Sequence, residues 1–513
     1  NGKDIKNCYN TGEVSVAVYG GSVGGVCGEN GDYGSTITNC YNTGKVSVTG
    51  TASGNYAGGV CGINHTTVTN CYYLEGSAAS VGGGEPLTEY QLGLKDKFSG
   101  WNFSVDWQIE IPLGRPTLTN NKEESPEDCG DGTEENPYFI SNAGQLAAFA
   151  SAVNSGKTGI CAKLTEDIVI QEGVLNADGS LNGDGSKFDQ WTPIGVSIDN
   201  PYTGTFDGQN HTISGMYINS DAEYIGLFGY IGRGATVKNV GIEDSYINIS
   251  RNHAGGGVCG YNSGTITNCY NTGTVSGSGL YVGGVCGYNN NGTVTNCYNT
   301  GAVSGRNAGG VCGWNNSTIT NCYYLSATAE TGVGSDSGTA ADIEEKSQSQ
   351  FSSGEVAWLL QNGQEDQVWG QEIGRDELPR LSYNEDDKVC KVTFMNGGDE
   401  VKTVYINMGK TIEEPDIDVG SGFYVDGWYT DSDLDGDEWD FENDTIDDDI
   451  TLYADVEERR SSGGGSYSLP EGTDRDEPEE QPEYRPDEPS TPETPGFIDV
   501  DIFDWYHDGV MYV

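Results

Sequence analysis

One recurring block of residues limits the folds open to this chain more than any other feature. The block reads Gly-Gly-Val-Cys-Gly-x-Asn, then Gly/Ser-Thr-Ile/Val-Thr-Asn-Cys-Tyr, and often Asn-Thr-Gly-x-Val-Ser. Self-similarity at a nearly fixed spacing is typical of repeat proteins, in which each repeat is one structural unit. The Val-Cys-Gly part begins at Val26, Val60, Val258, Val285 and Val311, and the Asn-Cys-Tyr part begins at Asn7, Asn39, Asn70, Asn268, Asn296 and Asn321.

The size and composition of each repeat predict an all-β chain built from β-solenoids. Successive Asn-Cys cysteines within a block of repeats lie 25 to 32 residues apart, and short β-branched runs alternate with Gly or Asn. A unit of this kind buries its apolar side chains only by stacking on its neighbours. Recurrent asparagines, such as Asn39 and Asn70, would then form a side-chain amide ladder at a bend. A propeller or a disordered Gly-rich array is the alternative.

The charge of the chain excludes two classes of partner. Lysine and arginine together number 25 and aspartate and glutamate 78, which gives a formal net charge of −53. Because so acidic a surface repels phosphate backbones and anionic lipids, we expect no nucleic acid partner. No apolar run reaches the ~18 residues of a membrane-spanning helix, so we expect no membrane insertion. Any secretion signal would lie upstream of Asn1.

Ten of the 14 cysteines lie in complete repeats, with one in each half, Cys8 lies in an incomplete repeat, and Cys129, Cys161 and Cys390 lie outside the repeats. A divergent repeat has Phe228 and Val240 at the two cysteine positions, so both positions are expected to be buried. Disulfides within each repeat would suit a secreted protein, whereas reduced thiols would suit plain core packing. Metal binding is disfavoured, because zinc sites need closely spaced cysteines. The candidate disulfides are Cys27–Cys40, Cys61–Cys71, Cys129–Cys161, Cys259–Cys269, Cys286–Cys297 and Cys312–Cys322.

The repeats resemble the GLUG repeat of large bacterial surface and secreted proteins. The resemblance covers most of residues 1–75 and 223–325, and residues 128–222 resemble the segment that precedes such repeats. It implies two solenoid modules, at 1–83 and 128–325, with 128–222 as the opening coils of the second. Because the chain starts inside a repeat, the first module is expected to be truncated at its N-terminus.

A similar tail follows each solenoid module, at residues 84–120 and 326–382. Trp107 leads to Pro116-Thr117-Leu118, and Trp369 leads to Pro379-Arg380-Leu381. A terminal coil exposes a stacking surface that must be covered, so we interpret both tails as caps. The alternative is that their tryptophans bind sugars.

Three further segments complete the chain. Residues 388–460 resemble the internalin-type B repeat (the Listeria–Bacteroides repeat), a β-grasp-like module that spaces or displays other domains. Residues 461–496 are acidic and rich in proline, which predicts a disordered, extended linker. Residues 497–513 resemble the helical start of an S-layer homology (SLH) domain, and completed domains of that family bind cell-wall polysaccharide. Residues 497–513 lack the part of the family's sequence that matters for binding this polysaccharide.

One motif matches the spacing of a calcium loop. The pattern D-x-D-x-D-G-x5-E predicts hard oxygen ligands around a Gly turn, as Ca²⁺ prefers. The alternative is a solvated acidic turn, and no other cofactor is expected. The candidate ligands are Asp431, Asp433, Asp435, Asp437 and Glu442.

Searches for catalytic residues find no candidate. The histidines at 65, 211, 253 and 507 form no H-E-x-x-H zinc site. Ser22 fits G-x-S-x-G but lacks the strand-to-helix elbow that activates such a serine. Glycoside hydrolysis needs a carboxylate pair, and the repeats offer only scattered acids such as Asp207 and Asp244.

These observations predict a non-enzymatic, secreted bacterial surface protein that is anchored to the cell wall through SLH domains. Its working surface would be the solenoid flank, rich in Tyr, Asn and Thr, and its partners would be host or environmental glycans or proteins. Two alternatives remain open: the display or targeting region of a large secreted peptidase or polysaccharide-degrading enzyme, and a solenoid with its own carbohydrate-cleaving cleft.

Overall fold

The computed structural model describes residues 3–17, 21–31, 34–49, 56–78, 82–120, 129–250 and 253–459. The linker predicted at 461–496 and the SLH start predicted at 497–513 lie outside the described residues. Short strands dominate the described part, and none of its helices is both long enough and apolar enough to cross a membrane.

The second module is a β-solenoid, as its repeats predict. Successive coils pair in parallel and in register, so that Cys259 lies beside Cys286, which lies beside Cys312. Their strands form sheets of ten, three, four and five strands. The ten-stranded sheet starts with Tyr138–Ile140, Ala162–Leu164 and Thr205–Asp207, so the segment before the repeats supplies its first strands.

The strands of this module have the following bounds. The ten-stranded sheet continues with Thr236–Glu243, Thr265–Asn271, Thr293–Asn299, Thr318–Leu325 and Thr339–Lys346, and also holds Ile168–Val169 and Thr212–Ser214. The three-stranded sheet comprises Tyr217–Ser220, Tyr246–Ile249 and Thr274–Gly277. The four-stranded sheet comprises Tyr224–Ile225, Ala254–Gly256, Tyr281–Gly283 and Ala308–Gly309. The five-stranded sheet comprises Phe228–Ile231, Cys259–Asn262, Cys286–Asn289, Cys312–Asn315 and Val333–Asp336.

The first module repeats this design with shorter strands, which also pair in parallel. Ile5–Lys6 pairs with Thr36–Thr38 and that strand with Thr67–Thr69, while Tyr9–Asn10, Tyr41–Asn42, Tyr72–Leu74 and Glu85–Leu87 stack in order. The remaining pairs are Val14–Val16 with Val46–Val48, Ser22–Gly24 with Tyr56–Gly58, and Cys27–Asn30 with Cys61–Asn64.

The coils continue past both predicted boundaries. Glu85–Leu87 extends the first module beyond residue 83. Val333–Asp336 and Thr339–Lys346 pair with strands of the preceding coil, so the second module runs to Lys346. The boundary expected at 325 is therefore one coil too early, because this last coil has lost the cysteines and the Asn-Cys-Tyr sequence.

Asparagine ladders join the coils at the bends, as predicted for Asn39 and Asn70. Asn70 Nδ2 donates to Asn39 Oδ1 at 3.5 Å, and the Asn-Cys asparagines have φ between 49° and 53°. Asparagine tolerates this left-handed conformation better than most residues. In the second module Asn268 donates to Asn239 (3.3 Å), which donates to Asp207 (3.1 Å).

A second ladder, which the sequence did not predict, lies at the Asn of Gly-Gly-Val-Cys-Gly-x-Asn. Asn262 donates to Asn289 and Asn289 to Asn315, both at 2.9 Å, and Asn315 donates to Asp336 at 2.9 Å. The three asparagines are fully buried. Because a buried amide without a partner is costly, each coil needs the next one to satisfy its asparagine.

The first tail meets the start of the second module. Helix Ala143–Asn154 begins where the Asn142 side chain accepts from Gln145 N at 2.9 Å, and it packs into the solenoid core. Tyr90, in the short helix Glu89–Leu92, donates its hydroxyl to Gln190 O at 2.9 Å. Gln145 in turn donates to Pro112 O at 2.9 Å. The tail also contains the 3₁₀ helix Lys95–Lys97 and the antiparallel pair Trp107–Ile109 and Pro116–Leu118.

The second tail connects to a small β domain. It contains the helices Gln348–Ser352 and Glu355–Gln361, the antiparallel pair Trp369–Gly370 and Arg380–Leu381, and the 3₁₀ helix Glu385–Asp387. The domain has strands Val389–Asn396, Asp399–Asn407, Phe423–Tyr429 and Ile450–Glu458. Its first strand pairs antiparallel with the second and parallel with the last, and Trp428 and Phe394 lie in its core.

We predict that Asn289→Ala lowers the free energy of unfolding by about 1–3 kcal/mol, because Asn262 then loses its buried acceptor. The matched control is Asn248→Ala, since Asn248 donates to Asn219 on an exposed part of the same solenoid, where we expect a change within about 0.5 kcal/mol. Urea denaturation followed by circular dichroism measures both. Equal losses in the two variants would show that burial of the ladder is unimportant.

Candidate functional surface

The cysteines lie in stacks that run between coils. All fourteen are free thiols in the structure, and the six candidate disulfides are not formed in it. Cys259, Cys286 and Cys312 lie in register in successive strands, and Cys297 pairs with Cys322 in the same way. Burial raises the pKa of the thiols of Cys259, Cys269 and Cys286. Eleven of the fourteen occupy the solenoid positions held by Phe228 and Val240 in the divergent repeat, and nine of these eleven are buried.

The structure does not gather the candidate calcium ligands into a site. Asp431, Asp433, Asp435 and Asp437 are all exposed, and Asp431 accepts from the Asp433 backbone N at 3.0 Å. Glu442 lies beyond a separate turn in which Asp440 accepts from its backbone N at 2.9 Å. Across the described ranges, no three His, Cys, Asp or Glu side chains are placed to hold a metal ion.

The two acids considered for catalysis are engaged in structural contacts, and the serine considered for catalysis lies within a strand. Asp207 forms an ion pair with Lys238 at 3.1 Å and accepts from the Asn239 side chain. Asp244 accepts from the backbone N of Val174 and of Leu175, at 3.2 and 2.8 Å. Ser22 lies in strand Ser22–Gly24 and not at a strand-to-helix turn.

The tyrosines of Asn-Cys-Tyr form one row on the side of each solenoid, and the tails cover it. We call Tyr270, Tyr298 and Tyr323 the buried tyrosine row. Trp369 packs on Tyr270 and Tyr298 with ring centroids 6.2 and 5.6 Å apart, and its indole N–H donates to Asn268 Oδ1 at 3.2 Å. In the first module Trp107 packs on Tyr41 in the same way, with ring centroids 6.0 Å apart.

The recurring Pro-x-Leu of the tails belongs to this contact. Tyr298 donates its hydroxyl to Pro379 O at 2.7 Å, and Tyr41 donates to Pro116 O. Leu381 packs in the same cluster as the tyrosines, and Leu118 does so in the first module. The tails therefore lie along the sides of several coils. Trp107 and Trp369 are buried against tyrosines along the side of the coils, which leaves no ring face for a sugar. The first strands of both predicted tails, Glu85–Leu87 and Val333–Asp336 with Thr339–Lys346, stack on the preceding coil.

A second row of rings, on the five-stranded sheet, is left partly open. It consists of Tyr230, Tyr261, Tyr288 and Trp314, one from each successive coil, and we call it the open aromatic row. Tyr230 and Tyr261 stack at 4.4 Å, and Tyr288 and Trp314 stack at 4.6 Å with 8° between their planes. Tyr230 is 8% exposed and the other three are half-buried. Burial raises the pKa of Tyr230 and of Tyr288.

A chain of polar side chains borders the open aromatic row. Asn290 donates to the Tyr261 hydroxyl, and Asn316 donates to Asn290 Oδ1 at 3.0 Å. Ser337 donates to Asn316 Oδ1 at 3.3 Å and accepts from the Trp314 indole N–H at 3.3 Å. Asn316 and Ser337 are exposed. The row thus combines apolar rings with donors and acceptors that reach solvent, as ligand sites commonly do.

The open aromatic row ends at Trp314. The next coil carries Ser335 in register with Trp314, and Ser335 is exposed. The first module has Glu29 and Ile63, paired with each other, at the equivalent positions. Sequence reasoning named the flank but missed this row. The signal was present as the residue after Cys-Gly, which is Tyr, Tyr and Trp in the last three GLUG repeats.

Comparison with known families matches two modules of the chain. Residues 19–49, 251–276 and 278–304 match the GLUG motif, and residues 391–455 match the Listeria-Bacteroides repeat domain. The chain is therefore a repeat protein with GLUG motifs and a Listeria-Bacteroides repeat. The SLH assignment of residues 497–513 stays a prediction.

Two curated proteins share sequence with part of the chain. Halomucin of Haloquadratum walsbyi is 30% identical over 161 residues, which are 31% of this chain and 2% of that protein. A protein of Evansella cellulosilytica, provisionally named a Gly-rich membrane protein, is 33% identical over 141 residues, which are 27% of this chain and 15% of that protein. The matched region is thus a small part of both relatives.

Among solved structures, one match is a Bacteroides ovatus protein provisionally named an immunoglobulin A1 protease. The alignment covers 50% of this chain and 95% of that one, with 20% sequence identity and a TM-score of 0.34.

We predict that stability falls as the pH rises above about 9, because the thiols whose pKa burial raises, those of Cys259, Cys269, Cys286 and Cys297, keep their protons in the folded state while an unfolded chain loses them. Below that pH the stabilisation is fully present. Replacing Cys269 and Cys297 by valine, the residue that Val240 supplies in register with Cys269, should reduce the alkaline slope by about 1.4 kcal/mol per pH unit for each thiol. Urea denaturation from pH 7 to 11 measures it, and unchanged slopes would contradict the prediction.

We predict that Trp369→Ala destabilises the chain by about 3–5 kcal/mol, because the ring fills the contact between the second tail and the buried tyrosine row. Trp358→Ala is the control, since Trp358 belongs to the same tail but is only half-buried. Thermal unfolding measures both variants. An equal loss in the two would mean that the tail does not depend on this contact.

Proposed function

We propose that this chain is the display region of a bacterial cell-surface protein and has no catalytic activity of its own. The observation that carries the proposal is the union of two GLUG solenoids with a Listeria-Bacteroides repeat in one chain. Such surface modules hold binding faces away from the cell. The provisional name of the Evansella relative places that protein at a membrane, which supports a location at the cell envelope for this chain.

The packing of the described residues supports a display role. The tail of the first module contacts the opening helix of the second through Tyr90 and Gln145. The Listeria-Bacteroides repeat contacts the second tail, where Asn407 donates to Gln371 O at 2.6 Å and accepts from Ile373 N at 2.9 Å. Asn407 and Gln371 are buried. Hydrogen bonds thus tie each module to its neighbour, which suits presentation of a surface.

The absence of catalysis is part of the proposal. The carboxylates of Asp207 and Asp244 are engaged in an ion pair and in backbone hydrogen bonds, so neither is poised to act as a general acid or base. Attachment to the wall through SLH domains beginning near Phe497, with cell-wall polysaccharide as the partner, is a further element of the proposal. It rests on the sequence resemblance alone.

We predict that trypsin applied to intact cells expressing this gene releases peptides of residues 129–459 before the cells lyse. A cytoplasmic enzyme followed in the same samples is the control for lysis. The purified chain should also leave casein and soluble polysaccharides intact over a day. Peptides that appear only after lysis would contradict the surface location, and reproducible cleavage by purified chain would contradict the absence of catalysis.

A further inference from the structure

We propose that the end of the open aromatic row is a binding site for a neutral glycan, with the outer face of Trp314 as the platform for a pyranose ring. The inference rests on the proposed display function and gives it a ligand class. It goes beyond that function in naming one site on one coil.

The geometry leaves one indole face available. The inner face of Trp314 stacks on Tyr288 at 4.6 Å, and Tyr281 packs beside it at 4.8 Å with a 41° tilt. In parallel coils, side chains in register lie about 4.8 Å apart, so the outer face points towards the position of Ser335. Within the described residues no ring follows in that position, and Ser335 has only a hydroxymethyl group there. The indole face is thus bordered by a small, exposed residue.

The indole is held in a defined orientation. Its N–H donates to Ser337 Oγ, which in turn donates to Asn316 Oδ1, both at 3.3 Å. Asn316 is tied to Asn290 at 3.0 Å. A ring fixed on one face by Tyr288 and at its edge by Ser337 loses little freedom when a ligand stacks on it. Pre-organisation of this kind favours binding.

The fold does not require aromatic residues at this row. The first module builds the same strand pair with Glu29 and Ile63 at the equivalent positions, and the last coil of the second module has Ser335 there. Aromatic residues that recur in four successive coils without a structural need, and remain partly open, indicate binding.

The chemistry of the border selects the ligand class. A pyranose ring has an apolar C–H face that suits an indole and hydroxyls at its edge that suit the exposed amide of Asn316 and the hydroxyls of Ser335 and Ser337. The net charge of −53 repels an anionic polymer. A neutral glycan has an apolar ring face for the indole, hydroxyls for the polar border and no charge that the chain would repel.

The test uses the full chain and affinity gel electrophoresis in hydroxyethylcellulose, galactomannan, xyloglucan, dextran and polygalacturonate. We predict that at least one neutral polysaccharide retards the chain and that polygalacturonate does not. Trp314→Ser, which inserts the residue that the next coil carries, should weaken binding at least about tenfold, since tryptophans dominate binding energies at such centres. Trp314→Tyr, which restores a ring like that of Tyr288, should recover part of the loss.

The matched control is Tyr383→Ser, which removes a ring that is 54% exposed but lies outside the row. It should bind as the unaltered chain does, and circular dichroism confirms that each variant is folded. Retardation by none of the neutral polysaccharides, unchanged binding by Trp314→Ser, or an equal loss in Tyr383→Ser would each overturn the site. Trypsin release from intact cells reports on the display function separately, so a surface-exposed chain that binds no glycan disproves this inference alone.

Discussion

Parallel, in-register hydrogen bonding between successive coils is the constraint on which the rest of this structure depends. It places each residue of a coil about 4.8 Å from the equivalent residue of the next coil. A residue type that recurs at one position of the repeat therefore forms a column along the solenoid. A cysteine becomes a column of buried thiols, as at Cys259, Cys286 and Cys312. An asparagine becomes an amide ladder, and a tyrosine becomes a row of rings. The columns determine which sides of the coil form the core, contact a tail or remain open to solvent.

The two rows of rings are both columns of aromatic residues, but one is covered by a tail and the other is partly open. The buried tyrosine row is closed by a tail whose tryptophan and Pro-x-Leu meet its rings and hydroxyls. The open aromatic row has no such tail over it in the described part of the chain, and its border of Asn and Ser side chains faces solvent. Covering one flank stiffens the solenoid and leaves the other flank for recognition.

Local, repeated features of this fold could be predicted from the sequence, and long-range contacts could not. The coil length, the burial of the cysteine positions and the ladder at Asn39 and Asn70 follow from comparing the repeats with one another, because equivalent residues recur in each coil. The contact of the second tail could not be predicted in this way, because it joins Trp369 to Asn268, 101 residues away. No periodicity in the sequence encodes such a pair. The open aromatic row was missed for another reason. The residue after Cys-Gly could be aligned from the sequence, but the stacking and exposure of Tyr261, Tyr288 and Trp314 follow from the packing of the coils, and the first module does not repeat the row.

The direction of the amide ladders has a consequence for how such a stack comes to an end. Asparagine both donates and accepts, so a ladder of asparagines could be extended by any further coil, including one from another molecule. The donors run from Asn262 through Asn315 to Asp336, and from Asn268 through Asn239 to Asp207. An ionised aspartate accepts but cannot donate, so each chain of donors stops at a carboxylate. Asp336 lies in the last coil, where Glu344 and Glu345 also replace the ring positions of Tyr323 and Tyr324. Like charges across such an end oppose its pairing with a second solenoid, so the acids of this last coil disfavour the stacking of another molecule on it.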